Sequence, residues 1–180
     1  HRLSSQTQYL THMILIIALF FAIPVHALAE PLKIGDPLNE LILADLNGAP
    51  ITLDDLPYDR AFLIVFSSIV CPASIKYDVH RTQIHNQYSP NGVRLISVNA
   101  NFNETNETIS QYYIQNPVPF PTYRDPGNKL ADHLGATHTP QAFLFDANRR
   151  LRYHGEIDNG WGVPEDTTSR GLWDALDALL

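Results

Sequence analysis

Residues 61 to 68 read AFLIVFSS, six apolar residues in a row without the polar alternation of a half-buried strand. A strand of that composition is covered on both faces, as in a parallel sheet with helices on either side. FSSIVCPAS continues the run, so Cys71 and Pro72 follow the strand closely. Proline suits the first turn of a helix, where its missing N–H would be unpaired in any case. The residues from Pro72 to about Tyr88 are therefore expected to form a helix. The buried strand delivers the single cysteine of the chain to the point where that helix begins.

The remaining chain keeps the same rhythm. Asn91-Gly92 ends the helix, and VRLISVNA makes the next strand. A polar helix is expected from about Glu104 to Gln115, then a proline-rich stretch, NPVPFPTYRDP, and a short helix in GNKLADHLG. QAFLFDA and RLRYHGEI read as strands joined by a tight turn, followed by a loop and a helix in SRGLWDALDALL. Upstream, Asn47-Gly48 lies between short apolar runs and signals a hairpin. Strand, helix, strand, helix, then a strand pair and a closing helix is an α/β order with one antiparallel half. The expected fold is a central mixed sheet flanked by helices, with an N-terminal hairpin extension.

Residues 13 to 25, MILIIALFFAIPV, have the length and apolarity of a secretory signal, and Ala27 and Ala29 supply small residues before Glu30. Residues 1–29 are expected to be a signal peptide or an uncleaved anchor, with one domain over 30–180, exported to a periplasm or secreted. Taking 29 residues from 180 leaves 151, enough for one core. Those 29 carry one arginine and no acid, so 11 basic face 19 acidic side chains, a net charge of −8. That balance argues against nucleic acid or anionic lipid as partner, and leaves membrane contact only through an uncleaved signal segment. One cysteine excludes an internal disulfide. In an oxidising compartment an odd thiol is paired between chains, buried or reactive.

FSSIVCPAS resembles the F-x-x-x-x-C-P-x-[CS] active-site turn of the alkyl hydroperoxide reductase/thiol-specific antioxidant (redoxin) superfamily. GATHTPQAFLFDANRRLRYHG resembles that superfamily's G-x-x-x-x-P-x-x-F-L-F-D region, about 70 residues on and in the same order. The resemblance spans about Ile34 to Leu180. It implies a thioredoxin-like fold and cofactor-free redox chemistry at Cys71, with Ser74 one turn away and a cis Pro140 packed beside the thiol. Thr139 and Pro140 would meet substrate backbone; Ser68, Pro72 and Arg124 are the other expected substrate-side residues. Two positions depart from the family. Ser74 stands where dithiol oxidoreductases have a second cysteine. Ile64 stands where the peroxidase signature P-x-x-x-[TS]-x-x-C has its proline, although Ser68 fits the hydroxyl position.

A thiolate, not a thiol, attacks disulfides and peroxides, and a helix start favours the thiolate. A hydroxyl donated by Ser74 would add to this. A lone thiol leaves either a mixed disulfide or a sulfenic acid, and both need an external thiol reductant. Expected partners are thus protein or small-molecule thiols and disulfides, or hydroperoxides. Peroxide reduction also needs a donor such as Arg124 or Arg149. The reading from another class is an inactive binding module that recognises a partner chain through the Pro140 groove. His138 precedes Pro140 and is a candidate to tune the thiol, though an exposed loop histidine is the plainer reading. Asp158 and Trp161, in EIDNGW, lie in a late loop and are candidate substrate-side residues, with loop packing the plainer reading. His133 and His138 form no recognisable metal pair, and the chain lacks the second cysteine of copper-delivery relatives. No metal or cofactor is expected.

Overall fold

The computed structural model describes residues 30–57, 59–161 and 166–180. The export segment, residues 1–29, lies outside the described residues. Among the described residues no helix is long and apolar enough to cross a membrane.

The elements are, in chain order, β1 (Ile42–Ala44), β2 (Pro50–Thr52), β3 (Ala61–Phe66), α1 (Pro72–Lys76), α2 (Asp78–Tyr88), β4 (Val93–Asn99), α3 (Asn106–Gln115), β5 (Thr122–Arg124), α4 (Lys129–Leu134), β6 (Gln141–Asp146), β7 (Leu151–Gly155) and α5 (Gly171–Leu179). Seven strands form one mixed sheet in the order β2-β1-β5-β4-β3-β6-β7. Strand β3 lies between β4, with which it is parallel, and β6, with which it is antiparallel. The N-terminal hairpin β1–β2 extends the sheet on the far side of β5.

All six residues of β3 are buried, which accounts for their unbroken apolarity. Phe62, Ile64 and Phe66 pack on one face with Leu130 and Phe143. Leu63 and Val65 pack on the other with Ile84, Leu144 and Trp173. Each such side chain contributes roughly 1.5–3 kcal/mol by leaving water. The strand that carries the cysteine loop is therefore firmly anchored in the core.

Three local expectations change. The helix expected from Pro72 to Tyr88 is two helices, broken at Tyr77, whose ψ of −3° interrupts the regular turn. Its hydroxyl is held by the carbonyl and carboxylate of Asp158, a distant contact that local sequence does not announce. The proline-rich stretch contains a strand, β5, which starts after Pro121 and pairs with the end of β4. Its prolines have no N–H to give to the ladder, although the Pro121 carbonyl accepts from Ser97 N–H at 2.9 Å. Finally, α3 starts at Asn106, capped by Thr105, whose hydroxyl accepts from Thr108 N–H. Glu104 is thereby left outside the helix, with its carboxylate turned into the protein.

Candidate active site

The sheet sets the site at the carboxyl ends of β3 and β4. Ser67 still accepts its place in the ladder, its N–H donating to Val98 O at 2.9 Å, and the chain then turns out of the sheet toward Cys71. Cys71 is the N-cap of α1 and Pro72 its first residue. The Cys71 carbonyl accepts from Ile75 N–H at 3.1 Å, which fixes the turn. The thiol is partly exposed and lies against the loop before β6, where the Thr139–Pro140 bond is cis. Sγ–H donates to the Thr139 carbonyl at 3.3 Å. Pro140 is buried, Thr139 half-buried.

Burial pushes the Cys71 thiol up. The Thr139 hydroxyl, the backbone N–H groups of Ser74 and Ala73, and the Ser74 hydroxyl outweigh it, so the thiol sits below its ordinary value. The Thr139 carbonyl accepts a proton and favours the thiol, whereas the donors favour the thiolate; the donors are more numerous. Ser74 is fully buried, and its hydroxyl also accepts from Ser68 N–H at 3.3 Å.

Under the cysteine loop lies a polar cluster centred on Glu104, which is 3% exposed. Its Oε1 accepts from the Ser68 hydroxyl at 2.6 Å and Asn101 Nδ2 at 2.7 Å. Its Oε2 accepts from Ile69 N–H at 2.9 Å and Asn99 Nδ2 at 2.8 Å. All four partners donate, so only the carboxylate fits. Burial pushes the acid up, but these donors, Ser68 first, hold it below the usual carboxylate range. The Ser68 oxygen in turn accepts from the N–H groups of Val70 and Cys71, at 3.3 and 3.2 Å. A chain of contacts thus runs from Glu104 through Ser68 to the backbone of the cysteine.

Arg124 completes the cluster from below. It donates to Asn99 Oδ1 at 2.5 Å and to the Asn101 carbonyl at 2.9 Å. Cys71, Ser74, Thr139 and Pro140 therefore meet, with Pro72 at the exposed rim and Ser68 beneath, while Arg124 faces the asparagines. Arg149 lies near Asp54 at 3.6 Å. His138 borders the groove beside Pro140, its Nδ1 3.1 Å from the Thr137 hydroxyl.

That groove opens next to Ala73 and encloses about 90 Å³ between the Pro140 loop and residues 156 to 161. At its base Asp158, 4% exposed, pairs with His80 Nδ1 at 2.6 Å and accepts from Tyr77.

The AhpC/TSA family model matches residues 34–154. The chain belongs to the AhpC/TSA family. Within it, the chain is similar to the thiol-disulfide oxidoreductase ResA of Halalkalibacterium halodurans, 29% identical over 125 residues. The match covers 69% of this chain and 66% of that relative, so the chain spans slightly under two thirds of its length. Among solved structures, a hypothetical protein of Sinorhizobium meliloti 1021 is 29% identical, with a TM-score of 0.73 over 83% of this chain and 85% of the other. The exposed lipoprotein thioredoxin Etrx1 of Streptococcus pneumoniae is 14% identical, with a TM-score of 0.61 over 78% and 99%. The fold of this AhpC/TSA member is thioredoxin-like, with the mixed sheet and flanking helices that the resemblance implied.

Two parts of the site were not read from sequence. Glu104 reads as the first residue of a polar helix, and only its place before the Thr105 cap reveals a different role. The His80–Asp158–Tyr77 cluster joins residues about 80 positions apart, and no spacing links them.

Proposed function

We propose that this AhpC/TSA protein is an exported thiol–disulfide oxidoreductase using Cys71 as its only nucleophilic sulfur. The observation that carries the choice of disulfide over peroxide is the state of Ser68. A peroxide needs donors to polarise its O–O bond, yet the Ser68 hydroxyl gives its proton to Glu104 at 2.6 Å. Of the two candidate arginines, Arg124 is engaged by Asn99 and Asn101, and Arg149 lies near Asp54. A disulfide needs neither, because its leaving group is a thiolate that solvent can protonate. The lowered thiol and the adjoining Pro140 groove support the same reading. Export rests on the apolar run of residues 13 to 25.

In the first step the Cys71 thiolate attacks one sulfur of a disulfide. A new S–S bond forms to Cys71, the old S–S bond breaks, and the second sulfur leaves as a thiolate that takes a proton from water. Cys71 is oxidised and the departing sulfur reduced. With serine at position 74 no internal thiol can displace the partner, so an external thiol attacks the mixed disulfide and returns Cys71 to its reduced form.

The test sets hydroxyethyl disulfide against hydrogen peroxide on the reduced protein, following adducts by intact mass and sulfenic acid by dimedone trapping. Mixed disulfide should form faster at equal concentrations. Sulfenic acid forming faster than any disulfide adduct would overturn the reading in favour of peroxide reduction. Full partner binding by Cys71→Ala would favour a binding module instead.

A further inference from the structure

The two carboxylates that border the groove differ in what holds them. Asp158 is buried and engaged on both oxygens, by the Tyr77 hydroxyl and Gly160 N–H on one and His80 on the other. Glu156 is exposed, and among the described residues no side chain pairs with its carboxylate. The rest of the lining is largely apolar, with Ala73, Pro140 and Ile157 beside the polar His138 and Thr139, and Trp161 73% exposed at the rim. No lysine or arginine among the described residues lines the groove. An apolar slot beside the nucleophile, with one free carboxylate at its edge and, among the described residues, no lysine or arginine to balance it, discriminates between disulfides.

We propose that Glu156 and Trp161 are specificity-determining residues that select a polypeptide cysteine flanked by an aliphatic or aromatic residue and a lysine or arginine, and that reject glutathione disulfide. The inference rests on the thiol–disulfide reading above. The apolar neighbour enters the slot against Trp161 and Pro140, where about 90 Å³ holds one side chain. The basic neighbour meets Glu156. Glutathione has two carboxylates to one ammonium in each half and no apolar side chain. It places like charge at Glu156, on a chain already at −7, and leaves the slot unfilled. Selectivity here comes from a repulsion as well as an attraction. The covalent step is unchanged: Cys71 gains the S–S bond, the substrate's own S–S bond breaks, and the departing thiolate is protonated by water.

The experiment uses the reduced protein and three probes, the symmetrical disulfides of Ac-Leu-Cys-Lys-NH2, of glutathione and of 2-mercaptoethanol. Each rate of mixed-disulfide formation, read by intact mass, is divided by the rate of the same probe with free 2-mercaptoethanol, which removes differences in intrinsic disulfide reactivity. On that scale the peptide should exceed glutathione about tenfold, the size expected from one exposed pair gained, one repulsion avoided and one apolar contact. Glu156→Lys should reduce the ratio several-fold. Trp161→Ala should bring the peptide toward the hydroxyethyl probe, each variant being read as a ratio to its own rate with that neutral probe. Equal rates for peptide and glutathione, or a ratio indifferent to Glu156→Lys, would overturn the proposal while leaving the thiol–disulfide reading intact. If the neutral probe also fails to modify Cys71, that reading is wrong and the selectivity goes with it.

Discussion

At the scale of single residues, Cys71 is defined by its donors. The thiol is held below its ordinary value although burial opposes this, because the Thr139 hydroxyl, the Ser74 hydroxyl and the amides of Ala73 and Ser74 favour the charged sulfur. Iodoacetamide alkylation against pH should therefore show a midpoint below the roughly 8.5 of a free cysteine. Thr139→Val removes the strongest of those donors and should move the midpoint upward; an unchanged midpoint would mean the hydroxyl does not act on the sulfur. Ser74 carries a second expectation. It is fully buried one turn from Cys71, and serine forms no disulfide. Partner adducts on non-reducing gels should persist in the native protein, diminish in Ser74→Cys and be absent in Cys71→Ala. Adducts equally long-lived in Ser74→Cys would show that position 74 cannot reach the mixed disulfide.

At the scale of elements, the loop between β3 and α1 is tied down by the segment between β4 and α3. Glu104 is the tie, and its four donors make it depend on charge. In Glu104→Gln the amide nitrogen faces two donors in either orientation, so two contacts are lost. The cost should be at least about 2 kcal/mol by urea unfolding, given what buried hydrogen bonds to a charged group contribute. The pH dependence follows from the sign of the shift. The folded-state pKa lies below the ordinary glutamate value of 4.5, so the contribution is complete above 4.5 and fades as pH falls through the lower, folded value. The native protein should lose stability in that acid range by more than Glu104→Gln does. Parallel losses in the two proteins would show that Glu104 is not the group being titrated.

At the scale of the whole molecule, β3 and β6 join the two halves of the site. They pair along their full lengths, Ala61 opposite Asp146 through Phe66 opposite Gln141, so Cys71 and Pro140 emerge from the same end of adjacent strands. The aromatic pair Phe66–Phe143, edge to face at 5.7 Å, lies just inside that end. Phe143→Ala should cost about 3–5 kcal/mol, a large part of the stability of an ordinary domain. A loss under about 1 kcal/mol in thermal or urea melts would mean the core collapses into the gap far more readily than cores of this kind do.

Strand β3 was legible because burial on both faces writes itself as an unbroken apolar run, and a helix start after it because Pro72 has few other places to go. The turn at Asn47-Gly48 and the strand pair around residues 147–150 were legible for the same kind of reason: the information is local, held in neighbouring residues. The proline-rich strand β5 was not, since its pairing to β4 is a property of the sheet and its own composition reads as loop. Nor was the break at Tyr77, whose hydroxyl bonds Asp158 81 residues away. The site divides along the same line. Cys71, Ser74 and Pro140 were marked by sequence pattern, but whether Ser68 and Arg124 face the thiol depended on Glu104, Asn99 and Asn101. Hydrogen-bond donors have several acceptors within reach in any chain, and which one each takes is decided only when the packed fold brings them together.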